Sequence, residues 1–224
     1  MTHLDIELSK LRKDILEMFF LVKSQLEKAK ESLIKFDKDL AREVRINEKR
    51  VNSFELKLDR DCENVIALFN PVAVDLRFVL ACIKINSNLE RMGDIAEGIA
   101  QFVISINNEP DTELLKVTRL IEMFDTANGI VADVTNSFET EDTKLARSVF
   151  QKDEVLDDIN QKANDAVVQF IKDHPDKVNQ SLYMLSSIRK LERVGDQSKN
   201  IAEEIIFYVE AKVLKHKHKP GKLL

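Results

Sequence analysis

One six-residue phrase occurs twice in this chain. Leu89-Glu90-Arg91-Met92-Gly93-Asp94 returns as Leu191-Glu192-Arg193-Val194-Gly195-Asp196, 102 residues later, and each copy runs on to an Ile-Ala pair, Ile99-Ala100 and Ile201-Ala202. A fainter echo joins Leu40-Ala41-Arg42 to Leu145-Ala146-Arg147, 105 residues apart. Self-similarity at a nearly constant offset means that one supersecondary unit is used twice, with a few residues added in an intervening loop.

The unit is helical. Leu8, Leu11, Ile15, Phe19, Val22, Leu26, Ala29 and Leu33 recur at spacings of three and four, as one buried helix face requires. A second stripe runs from Leu40 through Val51, Leu58 and Val65 to the break at Asn70-Pro71, and a third from Phe78 through Ile85, Met92 and Ile99 to Val103. Asn107-Asn108-Glu109-Pro110-Asp111 is the strongest break in the chain. The pattern then repeats, with a helix predicted from 112 to about 138, another to about 172, and a last one from the break at 173–176 to about 213. The expected fold is all-α: two tandem three-helix bundles, residues 1–109 and 110–213, followed by a basic, frayed tail at 214–224. With only five Gly and four Pro, turn-rich β architectures are excluded.

Charge narrows the partners. The 34 basic and 39 acidic residues are interspersed and leave a net charge of -5, so no basic field exists for nucleic acid. No apolar run approaches the roughly 18 residues that span a bilayer, so a cytoplasmic location is expected, with membranes reached only through partners. Cys62 and Cys82 sit in helical apolar patterns and read as reduced core residues.

The doubled phrase carries the chemistry. Residues four apart share a helix face, so Glu90 and Asp94, and likewise Glu192 and Asp196, set two like charges side by side. Such a pair is unfavourable by a few tenths of a kcal/mol unless cations gather on it. Arg91 and Arg193 could supply the charge through solvated salt bridges, or a metal ion could. Glycine inside a helix costs about 1 kcal/mol relative to alanine, yet two of the five glycines, Gly93 and Gly195, stand at this one position. Close approach of a neighbouring helix or of a bound ion would explain them.

The doubled Glu-Arg-x-Gly-Asp, with Pro71-Val72-Ala73-Val74-Asp75-Leu76-Arg77 ahead of its first copy, resembles the PhoU family of phosphate-uptake regulators over nearly the whole chain. The resemblance implies acid-x-x-x-acid motifs on the second and third helices of each half that hold metal clusters. Here the third-helix positions are Glu90, Asp94, Glu192 and Asp196. Those of the second helix are Glu48 and Asn52 in the first half, Asp153 and Asp157 in the second. One turn on, Glu55 and Asp59 have Asn160 and Asn164 as counterparts. With both second-helix positions acidic, the second-half site is expected to be the stronger.

Oxygen-only ligands suit hard cations such as Mg, Ca, Mn or ferric iron; iron or zinc is what the family implies. It also implies negative regulation of phosphate uptake and of starvation signalling, beside a phosphate ABC transporter and a phosphate-sensing histidine kinase, and a homodimer is expected. Asp75, Arg77, Arg91, Gly93, Arg193 and Gly195 are candidates for structural or partner-binding roles. Two other readings stand beside this one, a helical scaffold whose acidic pairs are purely structural and an accessory subunit of another phosphate permease. No enzyme is expected and no organic cofactor. Neither a Glu-x-x-His pair of the di-iron bundles, nor a P-loop, nor a Ser/His/Asp or Cys/His grouping is present.

Overall fold

The computed structural model describes residues 2–214; most of the basic tail assigned to 214–224 lies outside the described residues. Seven α-helices and one short 3-10 turn, Pro175–Lys177, make up the described fold, with no strand among them. The helices are α1 (His3–Lys35), α2 (Lys38–Phe69), α3 (Ala73–Ser105), α4 (Thr112–Val117), α5 (Leu120–Thr140), α6 (Thr143–Asp173) and α7 (Val178–Glu210). Helices α1, α2 and α3 pack on one another, as do α5, α6 and α7, while α3 also packs along α7 and α1 along α5.

The repeat extends to the corners. At the α1–α2 corner Phe36 is left-handed (φ 51°), the Asp37 N–H donates to the Ser32 carbonyl at 2.9 Å, and the Asp37 carboxylate accepts from the N–H groups of Asp39 and Leu40. At the α5–α6 corner Glu141 is left-handed (φ 56°), Asp142 N–H donates to Ser137 at 3.1 Å, and the Asp142 carboxylate accepts from Lys144 and Leu145 at 2.8 and 3.1 Å. The left-handed residue ends one helix and the aspartate satisfies the free N–H groups of the next. Removing the cap in Asp142→Ala should therefore lower stability by about 1 kcal/mol. Urea unfolding checks this, with the midpoint falling and the slope unchanged.

One helix differs from expectation. The stretch predicted as one helix from 112 to about 138 is broken at Thr118 and Arg119, giving six helices an additional member. Arg119 is left-handed (φ 53°), a conformation disfavoured for a residue with a side chain. Its guanidinium donates to both Glu122 oxygens at 2.8 and 2.7 Å and to Asp158 at 2.8 Å, and these bonds hold the break where neither Gly nor Pro marks it.

The core is continuous between the halves. Phe19, Phe78, Phe138 and Tyr208, one from each of α1, α3, α5 and α7, meet with ring centroids 5.4 to 6.3 Å apart, within the range of favourable edge and offset contacts. Arg12 lies over the Phe78 ring at 4.7 Å. Where α3 passes α7, the Asn200 side-chain amide donates to the Asn88 side-chain oxygen at 3.2 Å. Shifted by one repeat, the same pair of positions is Lys190 and Gly98, and a Cβ on Gly98 would stand 2.6 Å from Lys190 Nζ. The two helices thus meet through the same face, each presenting it to the other. Cys62 and Cys82 are buried and unpaired in a disulfide, and burial first of all pushes the Cys62 thiol up to about 12 and that of Cys82 well above its ordinary value.

Candidate metal centre

Each half brings its repeated glycine against its second helix. A Cβ on Gly93 would lie 2.9 Å from Val51 Cγ1 and 3.0 Å from Glu48 Oε2; one on Gly195 would lie 2.1 Å from Asp153 Oδ1 and 2.7 Å from Leu156 Cδ1. These contacts answer the question that the glycines raised. The missing side chain is what lets α3 close on α2, and α7 on α6, with a carboxylate seated in the crossing.

In the first half that carboxylate is Glu48. It is 5% exposed, and neither of its oxygens has a hydrogen-bond partner. Burial pushes its carboxyl up to about 7, with like charge from Asp94, Glu97 and Glu90 adding to the effect. Glu90 is half-buried and is also raised, by desolvation first and then by Asp94 and Glu55, while Arg91 pulls the other way. Glu55 is raised by desolvation, Asp59 and Asp94. Asp94 is exposed; Asp59 is held by the buried Asn86, whose amide donates to it at 2.8 Å. The carboxylates of α2 and α3 therefore converge on one face. Arg45 reaches its edge, 3.4 Å from Glu97.

In the second half the seated carboxylate is Asp153, 2% exposed. Its Oδ1 has no partner, but Oδ2 is ion-paired with Lys199, which also pairs with Asp196 at 2.9 Å. Desolvation raises Asp153 and Lys199 opposes it; desolvation likewise leads the rise of Glu192, ahead of Asp196, Asp157 and Asp153. Burial works to deprotonate Lys199, and the hydrogen bonds to Asp153 and Asp196 outweigh it, so the lysine stays charged. Asp153, Asp157, Asp196 and Lys199 line one open cleft.

Glu48, Glu90 and Asp94 are thus brought together, as are Asp153, Asp157, Glu192 and Asp196. Asn52 is exposed and makes no side-chain hydrogen bond among the described residues. Among those residues no group of three or more acidic, histidine or cysteine side chains is arranged as a ready-made metal-ion site. Arg91 and Arg193 are exposed and form no ion pair within 4 Å there, so the acidic pairs are not neutralised by the adjacent arginines. Asp75 lies half-buried in the first turn of α3, lining a cleft with Arg12, Glu141 and Tyr208, and Arg77 buries an Nε without a partner. Lys199 and Glu97 were not singled out from the sequence. The offset of 102 that relates the doubled phrase also relates these two, and carrying it three residues past Asp94 and three past Asp196 would have found them.

Fold and site define a duplicated helical-bundle protein with an acidic face at the equivalent crossing of each half. The chain belongs to the PhoU family: the PhoU domain matches residues 15–103 and again residues 120–205. It is 31% identical over 214 residues to the phosphate-specific transport system accessory protein PhoU homolog 1 of Thermotoga maritima, covering 95% of this chain and 91% of that one. To the PhoU homolog of Aquifex aeolicus it is 32% identical over 212 residues, 95% of each chain. Among solved structures, PhoU from Pseudomonas aeruginosa superposes with a TM-score of 0.86 at 29% identity, covering 93% of this chain and 99% of that one. The phosphate transport system regulatory protein PhoU from Streptococcus pneumoniae gives 0.85 at 28%, covering 95% and 99%.

Proposed function

We propose that this protein is a non-catalytic negative regulator of phosphate uptake and of phosphate-starvation signalling. It acts by contact with a phosphate transporter, a phosphate-sensing kinase or both, and it binds metal ions on its acidic faces. The observation that carries the reading is relatedness along 95% of the chain to proteins named as accessory to the phosphate-specific transport system. Among the described residues no helix is long and apolar enough to cross a membrane. On this reading the transporter contact falls on the exposed faces of the bundle, in the cytoplasm, with the homodimer as the working form.

The metal reading is supported by the first-half site. Two buried carboxylate oxygens without partners, seated in a glycine cradle and faced by further carboxylates, are an uncompensated arrangement that a cation relieves. Glu48 from α2 with Glu90, Asp94 and Glu97 from α3 would hold it, and a bound ion would supply the positive charge that ties the two helices together. All-oxygen donors favour a hard cation; iron or zinc follows only from the resemblance.

A strain lacking this protein is expected to take up phosphate and express starvation genes when phosphate is plentiful. Labelled phosphate uptake and transcript levels in phosphate-rich medium test this. Unchanged uptake and transcription in the deletion strain would remove the regulatory reading and leave a helical scaffold or a subunit of another permease.

A further inference from the structure

We infer that the two acidic sites have divided their roles: the first-half site takes a divalent cation, whereas in the second half Lys199 stands where a cation would, as a counter-ion built into the chain. This rests on the metal-binding reading above and reverses the ranking expected from the second-helix acids alone.

The repeat makes the comparison direct, because the residue 102 positions before Lys199 is Glu97. One position therefore adds a carboxylate to the first site and an ammonium to the second. The difference extends to the neighbours. Glu55 and Asp59 in the first half correspond to Asn160 and Asn164 in the second, while Asn52 corresponds to Asp157. The first face carries six carboxylates: Glu48, Glu55, Asp59, Glu90, Asp94 and Glu97. The second carries four, with an ammonium among them.

The buried carboxylates differ accordingly. Both oxygens of Glu48 lack any partner, whereas Asp153 is already ion-paired, and Asp196 shares the same lysine at 2.9 Å. A cation entering the second site must displace an ammonium that two carboxylates hold. The displaced group stays tethered one turn away and keeps competing at high effective concentration, while its charge opposes the ion. In the first site no comparable group has to leave. Arg45 reaches only Glu97, at 3.4 Å and from a partly exposed position. An acidic face satisfied by solvent does not describe Glu48, which is buried.

The test is titration of chelator-treated, full-length protein with Mn²⁺ alone. Calorimetry and electron paramagnetic resonance of free Mn²⁺ would be run on the wild type and on Lys199→Glu, Glu97→Lys and Glu48→Gln. Circular dichroism and melting without metal establish that each variant is folded, and Lys199→Met replaces Lys199→Glu if the latter is not. The expected result is one class of site in the wild type and a second class gained in the Lys199 variant. Loss of the wild-type site is expected in both Glu97→Lys and Glu48→Gln. Two equivalent classes in the wild type, an unchanged count in the Lys199 variants, or binding that survives Glu48→Gln would overturn the division of roles while leaving metal binding standing. No Mn²⁺ uptake by any folded variant would instead overturn the metal-binding reading itself, and the division with it. The deletion phenotype is judged separately.

Discussion

Gly195→Ala should destabilise the protein by about 2 kcal/mol, and Gly93→Ala, at the equivalent position, by less than about 1. Both changes gain the same helix propensity, roughly 1 kcal/mol, so the difference reports the crossing alone. At Gly195 the new methyl would sit 2.1 Å from a carboxylate oxygen and 2.7 Å from Leu156. Leu156 can rotate. Asp153 is buried and pinned by Lys199, so either that ion pair breaks or α6 and α7 separate. At Gly93 the nearest atoms are 2.9 and 3.0 Å away, and Glu48, the longer side chain, has no partner to lose by moving. Overpacking costs of roughly 1–3 kcal/mol then apply near the top of the range at one site and near the bottom at the other. Urea unfolding of the two variants beside wild type measures the gap. Equal losses would mean that Asp153 swings clear of the methyl at no greater cost than Glu48.

In the presence of a chelator, the stability of Glu48→Gln relative to wild type should rise by as much as about 3 kcal/mol between pH 4.5 and pH 8. Burial holds the Glu48 carboxyl up to about 7, against an ordinary value of 4.5. A carboxyl raised in the folded state binds its proton more tightly there than in the unfolded chain. Its contribution is complete below 4.5 and is lost as the pH climbs through 7, because the folded protein must then ionise a buried group beside Asp94, Glu97 and Glu90. Glutamine keeps the shape and cannot ionise. Its buried amide sets a constant offset, so the pH-dependent part of the difference is the quantity to measure, by denaturant unfolding from pH 4.5 to 8. A difference that does not vary with pH would show that Glu48 ionises as it does in the unfolded chain.

The all-α fold was legible because its determinants are local: stripes at helical spacing, Pro71 and Pro110 at breaks, Asp37 ahead of α2. The break at Arg119 was not, because it depends on Glu122 and on Asp158 from another helix, and no residue of the 118–119 pair favours a left-handed turn. Glu48 and Asp153 were legible as ligand candidates through the resemblance. Their burial was not, since periodicity places them beside the apolar stripe without saying how closely α3 and α7 approach. The glycines gave the hint, and only the crossing distances turned it into a seated carboxylate. Lys199 was overlooked for a different reason: three residues past Asp196 it reads as an ordinary exposed i,i+3 partner, whereas its second bond, to Asp153, crosses to another helix.

The way α3 meets α7 has a consequence for how such a chain can change. Asn88 against Asn200, and Lys190 against Gly98, are one contact made twice in opposite directions, which is how two copies of a single half-length chain would pair. While the copies are separate molecules from one gene, every substitution strikes both sides at once, and a lysine entering one acidic crossing enters the other too. Once they are joined end to end, the partner is supplied by the chain itself at any protein concentration, and each side can drift alone. Glu97 and Lys199, opposite in charge at one ancestral position, are a difference that only a joined pair can hold.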